Sequence, residues 1–112
     1  MPEAPPTDVR VKAINSTAVM VRWKPPNPQK INGINQGYKL QAWQNGGYNE
    51  DNEYKSVTVA PNLFDPQAEH SAIIGNLRKY TLYNVTVLCF TNPGDGERSL
   101  PVSVRTSEDG KI

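Results

Sequence analysis

The chain has 112 residues, which is enough for one domain with a single modest hydrophobic core. Hydrophobic residues make up 37% of the sequence, which places it above the disordered class. Twelve basic and eleven acidic residues give a formal net charge of +1, so no strong field favours nucleic acid or direct insertion into an anionic membrane.

Seven segments alternate apolar and polar residues with a period of two, which is typical of strands with one buried face. They are residues 9–14, 19–24, 37–43, 54–60, 71–77, 83–90 and 102–104. Seven short strands at regular spacing, with no helical stretch, predict an all-β chain folded as an antiparallel sandwich. Cys89 is the only cysteine, so the bridging disulfide of an immunoglobulin domain is impossible.

The sixth segment has the clearest alternation, and the predicted core is organised around it. Its residues fall into two alternating sets: Tyr83, Val85, Val87 and Cys89, and then Asn84, Thr86, Leu88 and Phe90. We expect the first set to face the core, where the Cys89 thiol packs as a small hydrophobic group. A helix would scatter the first set around its circumference.

The connections between the segments are rich in proline, glycine and asparagine, and we expect them at the surface. In the connection 27–36, Ile34 is expected to fold back over the edge of the core. In the connection 61–70, Leu63 and Phe64 are expected to be tucked inward. Residues 92–97 read as a hairpin loop.

Several short motifs follow one another along the chain: Pro5-Pro6, Trp23 followed by Pro25-Pro26, Asn32-Gly33 leading to Gly37-Tyr38, Leu77 six residues before Tyr83, Val85 and Val87, and Gly94-x-Gly96-x-x-Ser99. In this order and at these separations, they resemble a fibronectin type III domain. The resemblance implies a seven-stranded antiparallel immunoglobulin-like β-sandwich over residues 5–106. It leaves residues 1–4 and 107–112 as linkers.

The resemblance also assigns structural roles. Trp23 is similar to the core tryptophan of the family, and Tyr83 is similar to its tyrosine-corner residue, whose hydroxyl bonds back to the backbone. The other core positions that it implies are Tyr38, Leu77, Val85 and Val87. Cys89 stands where the family often has alanine, and Lys79 stands where proline is usual.

The amino-acid sequences of residues 5–11 and 32–40 are most similar to those of fibronectin modules in neuronal immunoglobulin-superfamily adhesion receptors of the contactin, neurofascin and sidekick types. This resemblance implies a non-catalytic extracellular spacer and protein-interaction module of a plasma-membrane protein. Its partners would be other cell-surface or matrix proteins and neighbouring domains of the same receptor. The alternative is an intracellular structural module of a cytoskeletal or muscle scaffold protein.

No pattern in the sequence predicts a catalytic, cofactor-binding or metal-binding residue. His70 is the single histidine, and we expect it in a solvated loop with Asp65 and Glu69, whereas a general base needs a positioned partner and a cleft. Glu50, Asp51 and Glu53 lack the spacing and the glycine of a calcium loop. One histidine and one cysteine are too few for a zinc site.

Three surface features predict sites of glycosylation or of ligand binding. Asn15 and Asn84 each begin an N-glycosylation triplet. Trp43, Leu88 and Phe90 are expected on one outward sheet face as a protein-contact patch, unless Lys39, Gln41 or the acidic connection covers them. Arg10, Lys12, Arg22 and Lys24 are expected on the opposite sheet, where they form either a strip for heparan sulfate or an ordinary solvated face.

Overall fold

The computed structural model describes residues 1–44 and 54–108, and most of them lie in short antiparallel strands. The strands are β1 (Thr7–Asn15), β2 (Ala18–Lys24), β3 (Gly37–Gln44), β4 (Tyr54–Val59), β5 (His70–Ile74), β6 (Leu82–Thr91), β7 (Gly94–Asp95) and β8 (Val102–Arg105). A short 3-10 helix, Pro28–Lys30, precedes β3. No helix within the described ranges is both long and apolar enough to cross a membrane.

The strands form two sheets that pack face to face. One sheet has the order β1-β2-β5, and the other has the order β4-β3-β6, with β7 and β8 pairing along β6. We call them the three-stranded and the larger sheet. The predicted all-β sandwich of the fibronectin type III class is confirmed by this architecture.

The seventh predicted strand, at residues 102–104, is β8, and the structure adds one further strand, because residues 94–95 of the predicted hairpin loop pair with β6 as β7. β7 pairs with the end of β6, and β8 pairs with its beginning. Between them, Ser99 bonds Val87 in both directions: its backbone N–H donates to the Val87 carbonyl, and its hydroxyl accepts from the Val87 N–H, each at 2.9 Å. A side-chain bond therefore replaces part of the ladder, which gives eight strands within the described residues.

The core fills the space between the sheets with the inward residues of four strands, β2, β3, β5 and β6, and with Leu77 from the connection after β5. Its fully or almost fully buried members are Val19, Val21, Trp23, Tyr38, Leu40, Ala42, Ile74, Leu77, Tyr83, Val85, Val87 and Cys89. Trp23 is at the centre, with its ring centroid 5.3 Å from that of Tyr38 in an edge-to-face arrangement. β-Branched residues suit these strands because they pack well on a pleated surface.

The crossing from the three-stranded sheet to the larger sheet is fixed by hydrogen bonds to Tyr83 and Thr106. The Arg78 N–H donates to the Tyr83 hydroxyl at 2.8 Å. The Thr106 hydroxyl donates to the Arg78 carbonyl at 2.7 Å and accepts from the Thr81 N–H at 2.8 Å. Both side chains are buried, so these bonds satisfy backbone groups at a partly buried crossing.

The predictions that Ile34, Leu63 and Phe64 pack inward are wrong. Their exposed fractions are 78%, 83% and 101%. The core edge near Ile34 is closed by Ile31 instead, at the end of the 3-10 helix, where it is 6% exposed.

The prediction that His70 lies in a solvated loop is also wrong. His70 is the first residue of β5 and pairs with Trp23 in the register of the three-stranded sheet. Its ring is stacked on Trp23 with centroids 5.7 Å apart, and it lies 4.8 Å from the ring of Tyr38. The β-sheet register thus brings the imidazole inward, onto the aromatic core.

The first residues of the chain lie against the sandwich. Pro2 is buried, and the Glu3 N–H donates to the Lys30 carbonyl at 2.7 Å. A side chain at Gly96 would meet Pro2 at 2.6 Å and the Cys89 carbonyl at 2.8 Å, so the absence of one allows this close packing.

Candidate interaction surfaces

The outward face of the larger sheet carries the predicted contact patch, but Leu88 is not part of it. Leu88 is 2% exposed, so its assignment as an exposed contact residue is wrong. Lys39 pairs with it across β3 and β6. The Lys39 ammonium lies 5.0 Å from the Phe90 ring centroid and 2.7 Å from the Asp95 carboxylate. The lysine thereby covers this face and leaves Phe90 half-buried.

Trp43 lies farther along the same face and lines an open hollow. The hollow has a volume of about 340 Å³ and is lined by Gln41, Trp43, Tyr54 and Arg98. Trp43 pairs directly with Tyr54, which is 60% exposed. We call this site the aromatic hollow. Two aromatic rings beside a guanidinium and an amide suit a ligand that is partly apolar and partly acidic.

The acidic connection that could cover this face lies outside the described residues, and with it Glu50, Asp51 and Glu53. Arg98 reaches the aromatic hollow from the segment that Ser99 anchors to β6. The sequence pattern of the strands could not reveal its contribution, because Arg98 is not in a strand.

The outward face of the three-stranded sheet is basic, with Arg10, Lys12, Arg22 and Lys24 all exposed. Arg10 stands directly opposite Arg22 across β1 and β2. Like charges in this position destabilise a sheet. Asp8 relieves the repulsion only at one end, where its carboxylate lies 3.4 Å from Arg10 and 3.6 Å from Lys24.

A second hollow, of about 250 Å³, lies on this basic face. Its lining consists of Arg10, Val11, Lys12, Met20 and Arg22. Met20 provides an apolar floor between basic walls, and it pairs with Ile73, which is 53% exposed. We call this site the basic hollow. The sequence identified its cations but missed Met20, because a lone apolar residue on an outward side gives no periodic signal.

The two glycosylation triplets differ in their surroundings. Asn15 is exposed at the end of β1, where its side-chain oxygen accepts from the Thr17 N–H at 2.9 Å. Asn84 is half-buried within β6 and pairs with Trp43 on one side and Ser103 on the other. The Ser103 hydroxyl donates to its side-chain oxygen at 2.9 Å.

The groups with catalytic potential are engaged in internal bonds. His70 Nδ1 lies 2.8 Å from the Ala68 carbonyl, and Nε2 accepts from the Asn62 N–H at 3.1 Å. The Cys89 thiol donates to the Asn35 side-chain oxygen at 3.3 Å, and burial raises its pKa to about 11. Burial also raises the pKa of Tyr38. Within residues 1–44 and 54–108, no group of three His, Cys, Asp or Glu side chains could hold a metal ion.

Comparison with known proteins identifies the relatives of this chain. Residues 4–105 match the family model of the fibronectin type III domain. Over 97% of its length, the chain is 60% identical to Protein sidekick of Drosophila melanogaster and 51% identical to Protein sidekick-1 of Gallus gallus. It spans 5% of the length of each of these relatives.

Solved structures agree on the fold. The third fibronectin III domain of the human KIAA0343 protein matches with a TM-score of 0.82 at 24% identity, over 99% of this chain and 87% of that one. The FN5 domain of Drosophila Lar matches with a TM-score of 0.71 at 29% identity, over 96% and 98% of the two chains. The predicted resemblance to sidekick-type modules is confirmed, and the chain belongs to the fibronectin type III family.

Proposed function

We propose that this chain is a non-catalytic extracellular module of a cell-surface adhesion receptor, where it acts as a spacer and as a protein-contact unit. The observation that carries the proposal is the similarity to sidekick proteins. It extends over 97% of the chain but covers only 5% of those proteins, so the chain corresponds to one small unit of a very long polypeptide.

The geometry of the sandwich supports the spacer role. At one end of β6, Asp95 and Gly94 pair with Phe90 and Thr91, and Met1 packs on Gly94. At the other end, the Thr106 N–H donates to the Thr81 carbonyl. The chain therefore enters and leaves at opposite ends of a strand of ten residues, which is about 30 Å long. Modules joined in this way would form a row.

The aromatic hollow supports the contact role. Trp43 and Tyr54 present aromatic surface from two paired strands, so the sheet already fixes the position of both residues before a partner binds. Tryptophan, tyrosine and arginine are the residues that most often carry the binding energy of protein interfaces. Arg98 completes this combination at the same hollow.

Glycan occupancy at Asn15 tests the extracellular assignment against an intracellular scaffold module. The parent protein is expressed in secreting cells, and the peptide that contains Asn15 is analysed by mass spectrometry before and after glycan removal. We expect a glycan in the wild type and in Thr17→Ser, which keeps the triplet, and none in Thr17→Ala. An unmodified Asn15 in protein that fractionates with the cytosol would support the scaffold alternative.

A further inference from the structure

Two large apolar side chains project from an ordered turn between β4 and β5. Leu63 is 83% exposed and Phe64 is 101% exposed, so neither gains from burial in this chain. We call this pair the apolar knob. Two adjacent side chains, one aliphatic and one aromatic, that are exposed to water would be stabilised by burial against a partner.

The turn that carries the apolar knob is held by its own hydrogen bonds. The side-chain oxygen of Asn62 accepts from the N–H groups of Phe64 at 2.9 Å and of Asp65 at 3.0 Å. The Asn62 N–H donates to His70, and the Ala68 N–H donates to the Asp65 carbonyl at 3.0 Å. A turn fixed in this way presents its side chains at a low entropic cost of binding.

Acidic residues flank the knob, whereas the basic hollow has the opposite character. Asp65 and Glu69 are exposed, and no salt bridge joins either of them to another described residue. Lys12 and Arg22 in the hollow likewise have no salt bridge among residues 1–44 and 54–108. One surface is apolar with an acidic rim, and the other is apolar at its floor with basic walls.

The two surfaces also lie near the same end of the three-stranded sheet. Ser71, the second residue of β5 after the segment that bears the knob, pairs with Arg22 in the wall of the hollow. A two-fold axis between two molecules could therefore bring each knob to the hollow of the other molecule. Two-fold dimers are the commonest assemblies of identical chains.

From this complementarity we propose that the apolar knob binds the basic hollow of a second copy of this chain. Leu63 and Phe64 contact Met20, while Asp65 and Glu69 face Arg22 and Lys12. The acidic side chains also relieve the repulsion between Arg10 and Arg22. This self-contact goes beyond the proposed function and uses neither the aromatic hollow nor Asn15.

Sedimentation equilibrium of the 112-residue chain tests the proposal, at concentrations up to about 1 mM because small contacts are weak. The knob variant is Leu63→Ser with Phe64→Ser, and the hollow variant is Lys12→Glu with Arg22→Glu. We expect the wild type to form a dimer. Each variant alone should raise the dissociation constant by about tenfold or more, because truncation of a central anchor typically has this effect.

An equimolar mixture of the two variants is the decisive measurement. The knob variant keeps an intact hollow and the hollow variant keeps an intact knob, so the mixture should form a 1:1 complex through one contact. It should bind more weakly than the wild type, which has two contacts. A mixture that stays monomeric would overturn the proposal, as would a wild type that stays monomeric.

Matched variants control for nonspecific hydrophobic association and for a general effect of the change in net charge. Ile34→Ser with Leu100→Ser removes two other side chains that are 78% and 85% exposed, and Lys30→Glu with Arg78→Glu reverses two other exposed cations. Both should dimerise like the wild type, and loss of dimerisation in either would contradict the assignment. A different outcome is a monomeric wild type that is retained on heparin, with a hollow variant that is not retained. In that case the basic hollow binds a sulfated polysaccharide, and the proposed self-contact is overturned.

Discussion

Tyr83 shows how one side chain can fix the crossing between the two sheets. Its ring is 3% exposed and belongs to the core, while its hydroxyl accepts the hydrogen bond from the Arg78 N–H. Lys79 lies at this crossing and has no ring to restrict the backbone. The hydroxyl bonds of Tyr83 and Thr106 hold the backbone here.

Tyr83→Phe should therefore lower the free energy of unfolding by about 1–3 kcal/mol, because it leaves the Arg78 N–H without its partner in a partly buried site. Urea unfolding monitored by circular dichroism measures the change. Tyr80→Phe is the matched control, since Tyr80 is 56% exposed and should have little effect. An unchanged unfolding curve for Tyr83→Phe would contradict the structural role of this hydroxyl.

Cys89 makes the free energy of unfolding depend on pH in the alkaline range. Burial raises the pKa of its thiol from 9.0 to about 11, so the folded state holds the proton more tightly than the unfolded chain. The corresponding stability, about 2–3 kcal/mol, is fully present below pH 9 and is lost as the pH rises towards 11. Cys89→Ala should therefore lose less stability over this range than the wild type.

Chemical unfolding at pH 8.5 and at pH 10.5 measures this difference. Burial also raises the pKa of Tyr38, so both proteins weaken at the higher pH, and the difference between them reports on the thiol together with its charge interaction with Tyr38. Equal losses in the wild type and in Cys89→Ala would show that the thiol ionises without resistance from its buried site.

At the scale of the secondary-structure elements, β4 is the outermost strand of the larger sheet among the described residues, and it carries a charge on its inward side. Lys55 pairs with the fully buried Ala42, and it shares its side of the strand with Val57 and Val59. Its side chain is half-buried. An inward-pointing lysine discourages another chain from pairing with an open edge.

Lys55→Val should consequently promote aggregation without unfolding the protein. The variant replaces the charge with a residue that suits a strand, so its thermal midpoint should be equal to or above that of the wild type. Light scattering during incubation near 37 °C should show faster growth of aggregates. Ser56→Val, on the outward side of the same strand, is the control that separates edge protection from hydrophobicity alone.

The aromatic hollow depends on two neighbouring strands and belongs to the same scale. Trp43→Ser should leave the fold intact, because Trp43 is not a member of the buried core. Under the proposed function, Trp43→Ser should weaken the binding of a receptor ectodomain that contains this module to its partner, since a tryptophan in a hollow is a typical anchor. Surface plasmon resonance against candidate cell-surface ectodomains measures the effect, and Thr58→Ser serves as a control on β4. Equal affinity for the variant would remove the hollow from the interface.

For the molecule as a whole, the first residues of the chain contribute to the folded unit. Pro2 packs on Gly96, the Glu3 N–H bonds to Lys30, and Asn32 donates to the Met1 carbonyl at 3.3 Å. These contacts join the entry of the chain to the hairpin at the end of β6. They fix the direction from which any preceding segment approaches the sandwich.

Deletion of residues 1–3 should lower the free energy of unfolding by about 1–2 kcal/mol, through the loss of one backbone hydrogen bond and the burial of one proline. Differential scanning calorimetry measures the shift in midpoint. Deletion of residues 109–112 is a length control at the other terminus. An unchanged midpoint after removal of residues 1–3 would show that the packing of Pro2 is energetically neutral.

The sequence by itself determined seven of the eight strands in the described residues, the side of those strands that faces the core, and the family. The alternation in β6 was sufficient to identify its core-facing side, because a side-chain period of two places every second residue on the same face. The same rule places Trp23 and Tyr38 on the core-facing sides of β2 and β3. These features depend on local geometry. The residues within each segment are therefore enough to predict its strand and the side that faces the core.

The tertiary structure alone decided what happens on outward faces and in connections. Leu88 is outward by its period but buried, because Lys39 from the next strand reaches across it to Asp95. Phe64 is apolar but exposed, because hydrogen bonds to Asn62 hold its turn away from the core. His70 is polar but packed on Trp23, because the strand register turns it inward. Each outcome depends on contacts between residues distant in sequence or on bonds within a loop, and periodicity carries no information about either.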